Sequence, residues 1–415
     1  MRDRELYAKL LGIEAPWRVR DVDARLDAGE VEVFIVFDEK AKLPCPECGA
    51  ACGRYDTRTR TWRHLDTMQY RTLLTAEVPR VDCRDDGVKQ VKVPWAEEGS
   101  RFTAMFEALV IDWLHEASLT AVARMLRMTW DEADGVMRRA VARGLARRES
   151  EPLRKIGIDE TSFQRRHEYV TVVYDTERQR VVEVLDGRDQ EALEGFYWDT
   201  PIEHLETIES VSMDMWRPYI AATLLHVPDA EDKIAFDRFH IAKHLGEAVN
   251  KVRVDEHKDL VARGIDTLKG TRYLWLQNPE NMKPRNRLRF NDVRDGAFKV
   301  ARAWAMKETA RQLWSYKTRG WARKAWTRLI GWMARSRLAP MLKESRTLRS
   351  HLWGILNAVV LNVTNAHLEA VNAKIQKLKK RACGYRNRAR FRDAIMFHCG
   401  KLDLYPATAQ THTNS

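Results

Sequence analysis

The central part of the chain alternates short apolar runs with isolated acidic residues. The runs at 155–161 and 169–175 are rich in β-branched residues, which predicts two paired strands joined by a charged turn at 164–167. Two further apolar runs, 208–213 and 233–236, each stop at an acid. The predicted strands thus deliver three acids, Asp159, Asp214 and Asp237. Ligands bind at the carboxyl edge of open α/β sheets, so this edge is the candidate functional site.

On the amino-terminal side of these strands the pattern becomes helical. Apolar positions between Phe102 and Leu145 predict three short helices with a tight turn at 127–129. This arrangement indicates a helix-turn-helix whose third helix reads a DNA major groove. The basic residues that would contact DNA from this helix are Arg138, Arg139 and Arg143. A small helical bundle without a DNA partner gives the same pattern and is the alternative.

On the carboxyl-terminal side, the stretch at 246–345 is predicted to be an all-helical insertion into the α/β domain. No run between Asp237 and Ser345 alternates as a strand does, whereas Lys, Arg and Trp are frequent. The tryptophans are interpreted as core anchors of the insertion: Trp275, Trp304, Trp314, Trp321, Trp326 and Trp332. Some basic faces of the insertion are a further place for DNA.

A last helix is predicted from about residue 365 to 381, with Thr364 or Asn365 as its cap. Its polar face carries Glu369 and Asn372, and the helix leads into a basic tract. Between residues 374 and 392 there are nine Lys or Arg and no acid. The tract supplies candidate DNA contacts: Lys377, Lys379, Lys380, Arg381, Arg386, Arg388 and Arg390. A solvated helix face is the alternative for such a charge run.

Length and charge narrow the class of protein. A chain of 415 residues favours two to four domains. A net charge of +12 and a pI near 9.4 indicate a polyanionic partner, most simply double-stranded DNA. The longest apolar runs are far shorter than the roughly 20 residues of a membrane span. The first residues also lack the apolar core of a signal peptide, so we expect a cytoplasmic protein without membrane contact.

Four of the six cysteines lie between residues 45 and 83. Cys45 and Cys48 form a Cys-x-x-Cys-Gly knuckle, which is typical of a tetrahedral Zn²⁺ site. The partner knuckle is incomplete, because Cys83 is followed by Asp86 where a fourth sulfur is expected. The sequence leaves open a Cys₃Asp site, the recruitment of Cys52 or His64, or the loss of the metal. In each case we predict a zinc-ribbon-like module.

The acids suggest a chemistry. Converging carboxylates without Cys or His at matching spacing suit Mg²⁺ or Mn²⁺. Two such ions held by three acids stabilise the attacking and leaving oxygens of a phosphodiester displacement. Together with the basic surface, this favours phosphoryl transfer on nucleic acid.

Four segments carry a resemblance to a known family: 156–160, 211–219, 236–240 and 368–375. In wording and order they resemble the DDE transposases of bacterial insertion sequences, with the ISL-three family as the nearest branch. The resemblance implies an RNase H-like catalytic domain with a helical insertion, binding to terminal inverted repeats, and metal-dependent DNA cleavage and strand transfer. Carried over, Asp159, Asp214 and Glu369 are the three metal-binding catalytic acids. Asp237 is the rival for the second position.

The supporting residues are taken to be Asp237, His240 and Asn372. The expected organisation is a zinc-ribbon-like module at 1–99, a helix-turn-helix at 100–150, a catalytic core at 151–245 and 346–405, the insertion at 246–345, and a disordered tail at 406–415. We expect a homodimer or larger assembly on DNA. The alternatives are a sequence-specific DNA-binding regulator derived from a transposase and a hydrolytic RNase H-like nuclease.

Overall fold

The computed structural model describes residues 3–164, 168–295, 298–363 and 366–407. Most of the predicted turn at 164–167, the predicted caps Thr364 and Asn365, and the tail from 408 onward lie outside the described residues. The chain divides into two compact units, one formed by residues 1–149 with 401–415 and the other by 150–400.

The first unit combines a β-sheet with three helices that follow it. Its helices are α1 (Asp3–Leu10), α2 (Ala104–Glu116), α3 (Leu119–Met125) and α4 (Trp130–Arg147). Its strands are β1 (Trp17–Arg25), β2 (Glu30–Phe37), β3 (Leu43–Pro44), β4 (Ala51–Thr67), β5 (Tyr70–Cys83) and β6 (Gly87–Gln90). The sheet order is β1-β2-β5-β4-β3, with β6 paired to β5. The short strand β3 and the ends of β4 and β5 bring the cysteines together.

Local sequence explains where the helices of this unit begin. Thr103, Ser118 and Thr129 each accept a hydrogen bond from a backbone amide in the first turn of α2, α3 and α4. Thr129 and Glu132 form a reciprocal capping box. In the sheet core, the Trp17 and Trp62 rings pack edge-to-face on Trp95, with centroids 5.0 and 5.6 Å away.

Residues 401–407 group with the first unit rather than with the catalytic core to which the sequence assigned 346–405. The physical reason is a set of polar contacts to α4 and α2. Arg147 pairs with Asp403 at 2.8 Å, and the Tyr405 hydroxyl donates to Asp112 at 2.6 Å. The Cβ of an alanine at Gly144 would lie 2.6 Å from Leu402, so this segment lies directly on α4.

The second unit is built on a five-stranded mixed sheet. Its strands are β7 (Lys155–Gln164), β8 (Glu168–Asp175), β9 (Arg180–Asp186), β10 (Ser210–Met213) and β11 (Ile234–Phe236). The order is β11-β10-β7-β8-β9. The pairs β7–β8 and β8–β9 are antiparallel, whereas β10 is parallel to both β7 and β11. This sheet with its flanking helices confirms the predicted α/β domain.

Most of the second unit after β11 is helical, as predicted. The helices of this unit are α5 (Gln190–Trp198), α6 (Ile202–Glu206), α7 (Arg217–His226), α8 (Ala230–Lys233), α9 (Arg238–Val261), α10 (Arg272–Leu276), α11 (Pro284–Arg294), α12 (Lys299–Leu313), α13 (Arg319–Ala334), α14 (Ala339–Ser350), α15 (Leu352–Val360), α16 (Ala366–Arg381) and α17 (Arg388–Cys399). None of the helices in the described part of the chain is both long and apolar enough to cross a bilayer.

The tryptophans of the helical part do not all serve as core anchors. Trp275 and Trp326 are fully buried, as predicted. Trp321 and Trp332, in contrast, are 63% and 38% exposed on the outer face of α13. The prediction was wrong for these two because helical spacing places them on the face opposite to Ala322, Leu329 and Met333.

Candidate active site

The strand register of the second unit brings two of the predicted acids to one place. In the parallel pairing of β10 with β7, Ser212 is opposite Gly157. Asp159 and Asp214 each lie two residues further on, so they are at the same level and on the same face. In the next pair Met213 is opposite Phe236, which places Asp237 beside Asp214. Three neighbouring strands therefore bring three carboxylates to the same level of the sheet, at the carboxyl ends of β10 and β11 and in the middle of β7.

Helix α16 lies along β7 on this face and carries the third predicted acid. A Cβ on Gly157 would lie 3.1 Å from Leu368, which shows how closely the helix approaches the strand. One turn later, the Asn372 amide donates to Asp159 Oδ2 at 2.5 Å. A turn further, Gln376 donates to Thr161 Oγ1 at 2.7 Å. Glu369 lies between Leu368 and Asn372 on this helix.

The carboxylates influence one another. Burial raises the pKa of Asp159 to about 6, helped by Glu160 and Asp237 and opposed by His240. Burial and the charge of Asp237 also raise the pKa of Glu369, again against His240. Negative charge thus accumulates at the edge of the sheet, and a cation bound there would relieve it.

His240 is the cationic side chain inside this group. Its Nδ1 lies 3.1 Å from Asp214 Oδ2, and its Nε2 lies 3.9 Å from Asp237 Oδ2. The hydrogen bond to Asp214 raises the pKa of His240 to about 9. Burial alone would raise the pKa of Asp214, but the hydrogen bond and charge of His240, together with the Met215 amide and the charge of His244, outweigh burial and lower that pKa. These contacts to Asp214 and Asp237 are consistent with the predicted supporting role of His240.

Asp237 has a structural task that Asp214 does not have. Its carboxylate caps α9 by accepting from the Phe239 amide at 3.0 Å. Asp214 Oδ1 accepts only from the amide of its neighbour Met215, at 2.6 Å. The other oxygen of Asp214 faces His240. These contacts distinguish the two rivals, since Asp237 is tied to the helix that begins beside it.

The donor set at this edge suits a divalent cation of the hard, oxygen-seeking class. It contains carboxylates and an amide, and the Asn372 Oδ1 oxygen is buried without a hydrogen-bond partner in the described structure. The residues that would hold the metal are Asp159, Asp214 and Glu369. In the structure the oxygens of these three residues are too far apart to bind a single ion together. Among the described residues, one group of three or more potential ligands lies within 4.8 Å, and it is at a different place.

That group is formed by three cysteines of the first unit, Cys45, Cys48 and Cys83, with Asp86. Cys48 Sγ lies 3.6 Å from Cys83 Sγ, and Asp86 Oδ2 lies 3.2 Å from Cys45 Sγ and 3.4 Å from Cys83 Sγ. Tetrahedral zinc with Zn–S bonds of about 2.3 Å separates its ligands by roughly 3.8 Å, so these residues fit a Zn²⁺ ion.

The other two ligands that the sequence left open lie outside this group. His64 is buried, and its Nδ1 is hydrogen-bonded to Thr103 Oγ1 at 2.9 Å. The Cys52 thiol donates to the Ala50 carbonyl at 3.4 Å. The structure therefore favours the Cys₃Asp set over recruitment of Cys52 or His64.

Comparison with known proteins identifies the family. A sequence profile of the ISL3 DDE type, described as "Transposase", matches residues 156–395, which is more than half of the chain. The chain belongs to the ISL3 family of transposases. A helix-turn-helix domain of transposase family ISL3 matches residues 91–141, and a zinc-finger of the transposases of IS204, IS1001, IS1096 and IS1165 matches residues 42–86.

Full-length relatives agree with the domain matches. The chain is 30% identical over 418 residues to the transposase for insertion sequence element IS1557 of Mycobacterium tuberculosis, covering 93% of each chain. It is 27% identical over 399 residues to the transposase for IS1001 of Bordetella parapertussis, covering 94% of this chain and 97% of that one. The predicted ISL-three family is confirmed, and a DDE transposase domain is confirmed with it.

The basic residues predicted on the third helix of the helix-turn-helix of this ISL3 transposase are partly engaged by acids. Arg143 is 8% exposed and pairs with Glu97 and Glu107. Arg139 also pairs with Glu107, which is itself buried. In this arrangement the Arg143 guanidinium is engaged by the buried Glu107 and the half-buried Glu97, so it does not point to DNA. Arg138 is exposed and stays a candidate.

Several members of the basic tract also have partners in the ISL3 transposase. Lys379 donates to the Ser162 carbonyl at 2.7 Å and so ties α16 to β7. Arg388 lies 3.5 Å from Glu168 and stands over the Phe163 ring. The remaining predicted DNA contacts of the tract are exposed or half-buried: Lys377, Lys380, Arg381, Arg386 and Arg390.

One residue near the acids was missed by sequence reasoning. Arg188 lies 3.5 Å from Glu160, and its guanidinium is 4.4 Å from the Tyr169 ring centre and 4.9 Å from that of Trp216. The Trp216 indole donates to the Arg188 carbonyl at 2.9 Å. In the sequence, Trp216 stood within the motif segment 211–219 and could have drawn attention to its neighbours. No sequence pattern, however, indicated that residue 188 would lie beside it.

Proposed function

We propose that this ISL3 transposase binds the terminal inverted repeats of an insertion sequence and cuts and joins DNA with Asp159, Asp214 and Glu369. The observation that carries the proposal is the common level of Asp159 and Asp214 on one sheet face, with α16 lying over it. The long separations of these acids in the chain, 214 − 159 = 55 and 369 − 214 = 155 residues, leave no local reason for such placement.

Each acid has a distinct role in the proposal. Asp159 on the central strand β7 would contact both divalent cations, while Asp214 and Glu369 would each hold one. Two bound Mg²⁺ or Mn²⁺ ions supply charge stabilisation for the attacking and leaving oxygens of the phosphodiester. Asn372 orients Asp159 through its hydrogen bond, and His240 fixes the position of Asp214.

The proposed reaction has two similar steps. In the first, a water oxygen attacks phosphorus at an element end, the P–O3′ bond breaks, and a 3′-hydroxyl and a 5′-phosphate result. In the second, this 3′-hydroxyl attacks a target phosphodiester, forms a new P–O bond and releases the target 3′-hydroxyl. The same carboxylates serve both steps, since both replace one oxygen on phosphorus in line with another.

The first unit is proposed to recognise the element ends. Its helix-turn-helix would place exposed residues of α4 such as Arg138 in a major groove, and the Cys₃Asp site would hold one structural Zn²⁺. Because two ends must be held together before joining, we propose that a homodimer or larger assembly forms on DNA.

The experiment that tests the catalytic proposal is cleavage of a labelled duplex containing one element end, with Mg²⁺ present. Asp159→Asn, Asp214→Asn and Glu369→Gln should each abolish product while leaving DNA binding intact. Cleavage that persists in any of the three removes that residue from the proposal.

Asp237→Asn is the matched control for the choice of second acid. We expect reduced stability from the weakened cap of α9, with residual cleavage. If Asp237→Asn abolishes cleavage and Asp214→Asn retains it, the two residues exchange roles. If the wild-type protein binds the ends but never joins them to a target, the hydrolytic nuclease replaces the transposase reaction.

A further inference from the structure

The outer face of α13 carries an unusual combination of side chains. Two tryptophans and two cations lie on this face at successive spacings of three or four residues, which places them along one side of the helix. A third cation is the C-cap residue Arg335, and a fourth, Lys317, lies two residues before the helix begins. We call this set the α13 stripe: Lys317, Trp321, Lys324, Arg328, Trp332 and Arg335. All six are exposed. From Trp321 to Arg335 the stripe spans about 21 Å at 1.5 Å per residue.

No carboxylate in the described structure neutralises the stripe. The segment from Thr309 to Lys343 contains nine Lys or Arg and no acid in 35 residues. Two of these cations, Arg311 and Arg319, pair with acids from other segments. The four stripe cations form no ion pair with any described residue. Elsewhere in this unit, cations such as Arg178, Arg180 and Arg392 are paired. The stripe therefore presents uncompensated positive charge.

Packing within the unit does not explain Trp321, which is 63% exposed, whereas Trp332 is 38% exposed and buries more of its ring. The opposite face of α13 already supplies the core through Ala322, Trp326 and Leu329. The Lys324 ammonium lies 5.4 Å from the centre of the exposed Trp321 ring. Aromatic rings interleaved with cations suit a nucleic acid strand, because cations meet phosphates and rings stack on bases or pack on sugars. A helix face that is only solvated does not require exposed indole rings.

We propose that the α13 stripe binds the phosphate backbone of DNA, as a contact separate from the helix-turn-helix, the basic tract after α16 and the acid-bearing edge. The inference rests on the proposed function only for the identity of the polyanion. Phosphates of one strand recur every 3.4 Å along a duplex axis, so the helical part of the stripe is as long as the axial rise of about six of them. The four cations of the stripe can make up to four phosphate contacts.

The competing occupant is an acidic surface of a second copy. Residues 189–216 contain eight acids and no Lys or Arg, and Trp198 in this stretch is exposed. We favour DNA because the cations of the stripe recur along its length with rings between them, which matches the repeated charges and bases of a nucleic acid strand. The two occupants predict different results when the stripe is altered.

The test compares two variants of the full chain that each lose four positive charges. The stripe variant is Lys317→Ala, Lys324→Ala, Arg328→Ala and Arg335→Ala. The control replaces exposed cations of the same unit outside the stripe: Lys251→Ala, Lys258→Ala, Arg263→Ala and Arg302→Ala. Binding to a fluorescent 40-base-pair duplex is measured by anisotropy over a salt series, without added Mg²⁺, so that catalysis does not enter.

We expect the stripe variant to bind roughly tenfold more weakly or worse near 0.1 M salt, with a salt slope smaller by about 3 to 4, close to 0.9 per lost phosphate contact. The control should keep most of its affinity and slope. Equal losses in both variants would reduce the effect to net charge and overturn the proposal. Unchanged DNA binding, together with loss of dimers in light scattering, would assign the stripe to the acidic surface of a second copy.

A second variant keeps the test decisive if the fourfold change disturbs folding. Trp321→Ala removes one exposed ring and no charge, and Trp321→Phe restores an aromatic ring. If the contacted strand is unpaired, Trp321→Ala should weaken binding to a single strand at least about fivefold, and Trp321→Phe should recover most of it. If the strand is paired, the loss falls on the duplex instead. No loss on either DNA removes the tryptophan from the proposal.

The outcome is separable from that of the catalytic proposal. Normal duplex binding by the stripe variant leaves the acid assignments untouched. Cleavage that persists without the three acids would leave the stripe as a DNA-binding surface on a protein with different chemistry.

Discussion

The charged side chains of this transposase differ in the partners that neutralise or hydrogen-bond them. His240 stands between two carboxylates, Arg143 is buried against two others, and Asp159 is held by an amide. Each of these contacts joins residues far apart in the chain or on different elements. Their effects on function and stability are therefore tested one side chain at a time.

Asn372 is predicted to position Asp159. In Asn372→Ala, the hydrogen bond to Asp159 Oδ2 is lost, and we expect cleavage of element ends to slow by about 10- to 100-fold with little change in DNA binding. Gln376→Ala is the control, because Gln376 lies one turn further along α16 and bonds Thr161 instead. Single-turnover cleavage rates decide the matter. Equal rates for Asn372→Ala and wild type would show that Asp159 does not need this partner.

His64 predicts an acid-sensitive first unit. Burial, with help from Arg63, lowers the pKa of His64 to about 4, compared with 6.5 when unfolded. The unfolded chain therefore binds the proton more readily, so the free energy of unfolding falls as pH drops below 6.5 and levels off near 4. The total loss is on the order of 3 kcal/mol at 1.36 kcal/mol per pKa unit.

Urea titrations between pH 7 and pH 5 measure the part of this loss that falls above pH 5. His64→Gln cannot be protonated in this range, so its stability should depend less steeply on pH than that of wild type. Any pH effect from the cysteine cluster is shared by both proteins and cancels in the comparison. Parallel curves would show that His64 does not carry the dependence.

At the scale of elements, the position of β11 is set by helices on either side of it. Helix α9 begins at its carboxyl end through the Asp237 cap, and α15 packs against its face. Asn357 of α15 also donates to the Ile234 carbonyl at 2.8 Å. Gly354 is the point of closest approach, since a Cβ there would lie 2.4 Å from the Phe236 ring.

Gly354→Ala should destabilise the second unit by about 1 to 3 kcal/mol, because a buried ring at the end of β11 would have to move. Gly195→Ala in α5 is the matched control, since no atom lies within 4 Å of its new Cβ. A helical glycine in open space should gain up to about 1 kcal/mol on replacement by alanine. Chemical denaturation of both variants measures the contrast. A stable Gly354→Ala protein would mean that α15 adjusts freely.

On the scale of the whole molecule, the chain consists of two units with separate cores. The core of the first unit contains Trp17, Trp62 and Trp95. The core of the second combines the sheet with the helical part, including Trp275 and Trp326. The cysteine cluster belongs to the first unit alone, so loss of its metal should affect the units unequally.

We predict one zinc ion per chain and a selective effect of its removal. A strong chelator, or Cys45→Ser, should lower the melting temperature of the first unit and leave the second transition in calorimetry unchanged. Asp86→Ala should weaken zinc retention, and Asp86→Cys should retain zinc. Elemental analysis of the purified protein gives the stoichiometry. A zinc-free protein with an unshifted first transition would show that the cluster is held by packing alone.

Local patterns in the chain were enough to predict the elements that carry the site and the family. The strands that carry Asp159 and Asp214, the helix that carries Glu369 and the three helices after Phe102 follow from apolar spacing, which is a local property of the chain. The Cys-x-x-Cys knuckle and the four motif segments were likewise readable without a fold. The α/β domain with its helical part was predicted on this basis and confirmed.

Which charged and aromatic side chains are buried depends on the fold. Arg143 and Arg138 look equivalent in sequence, yet the Arg143 side chain pairs with the buried Glu107, whereas Arg138 is exposed. Helical spacing separates Trp326 from Trp321 on α13, but the neighbouring helices determine which of the two faces is buried. Burial and ion pairing depend on partners brought from distant segments, and local periodicity contains no information about those partners.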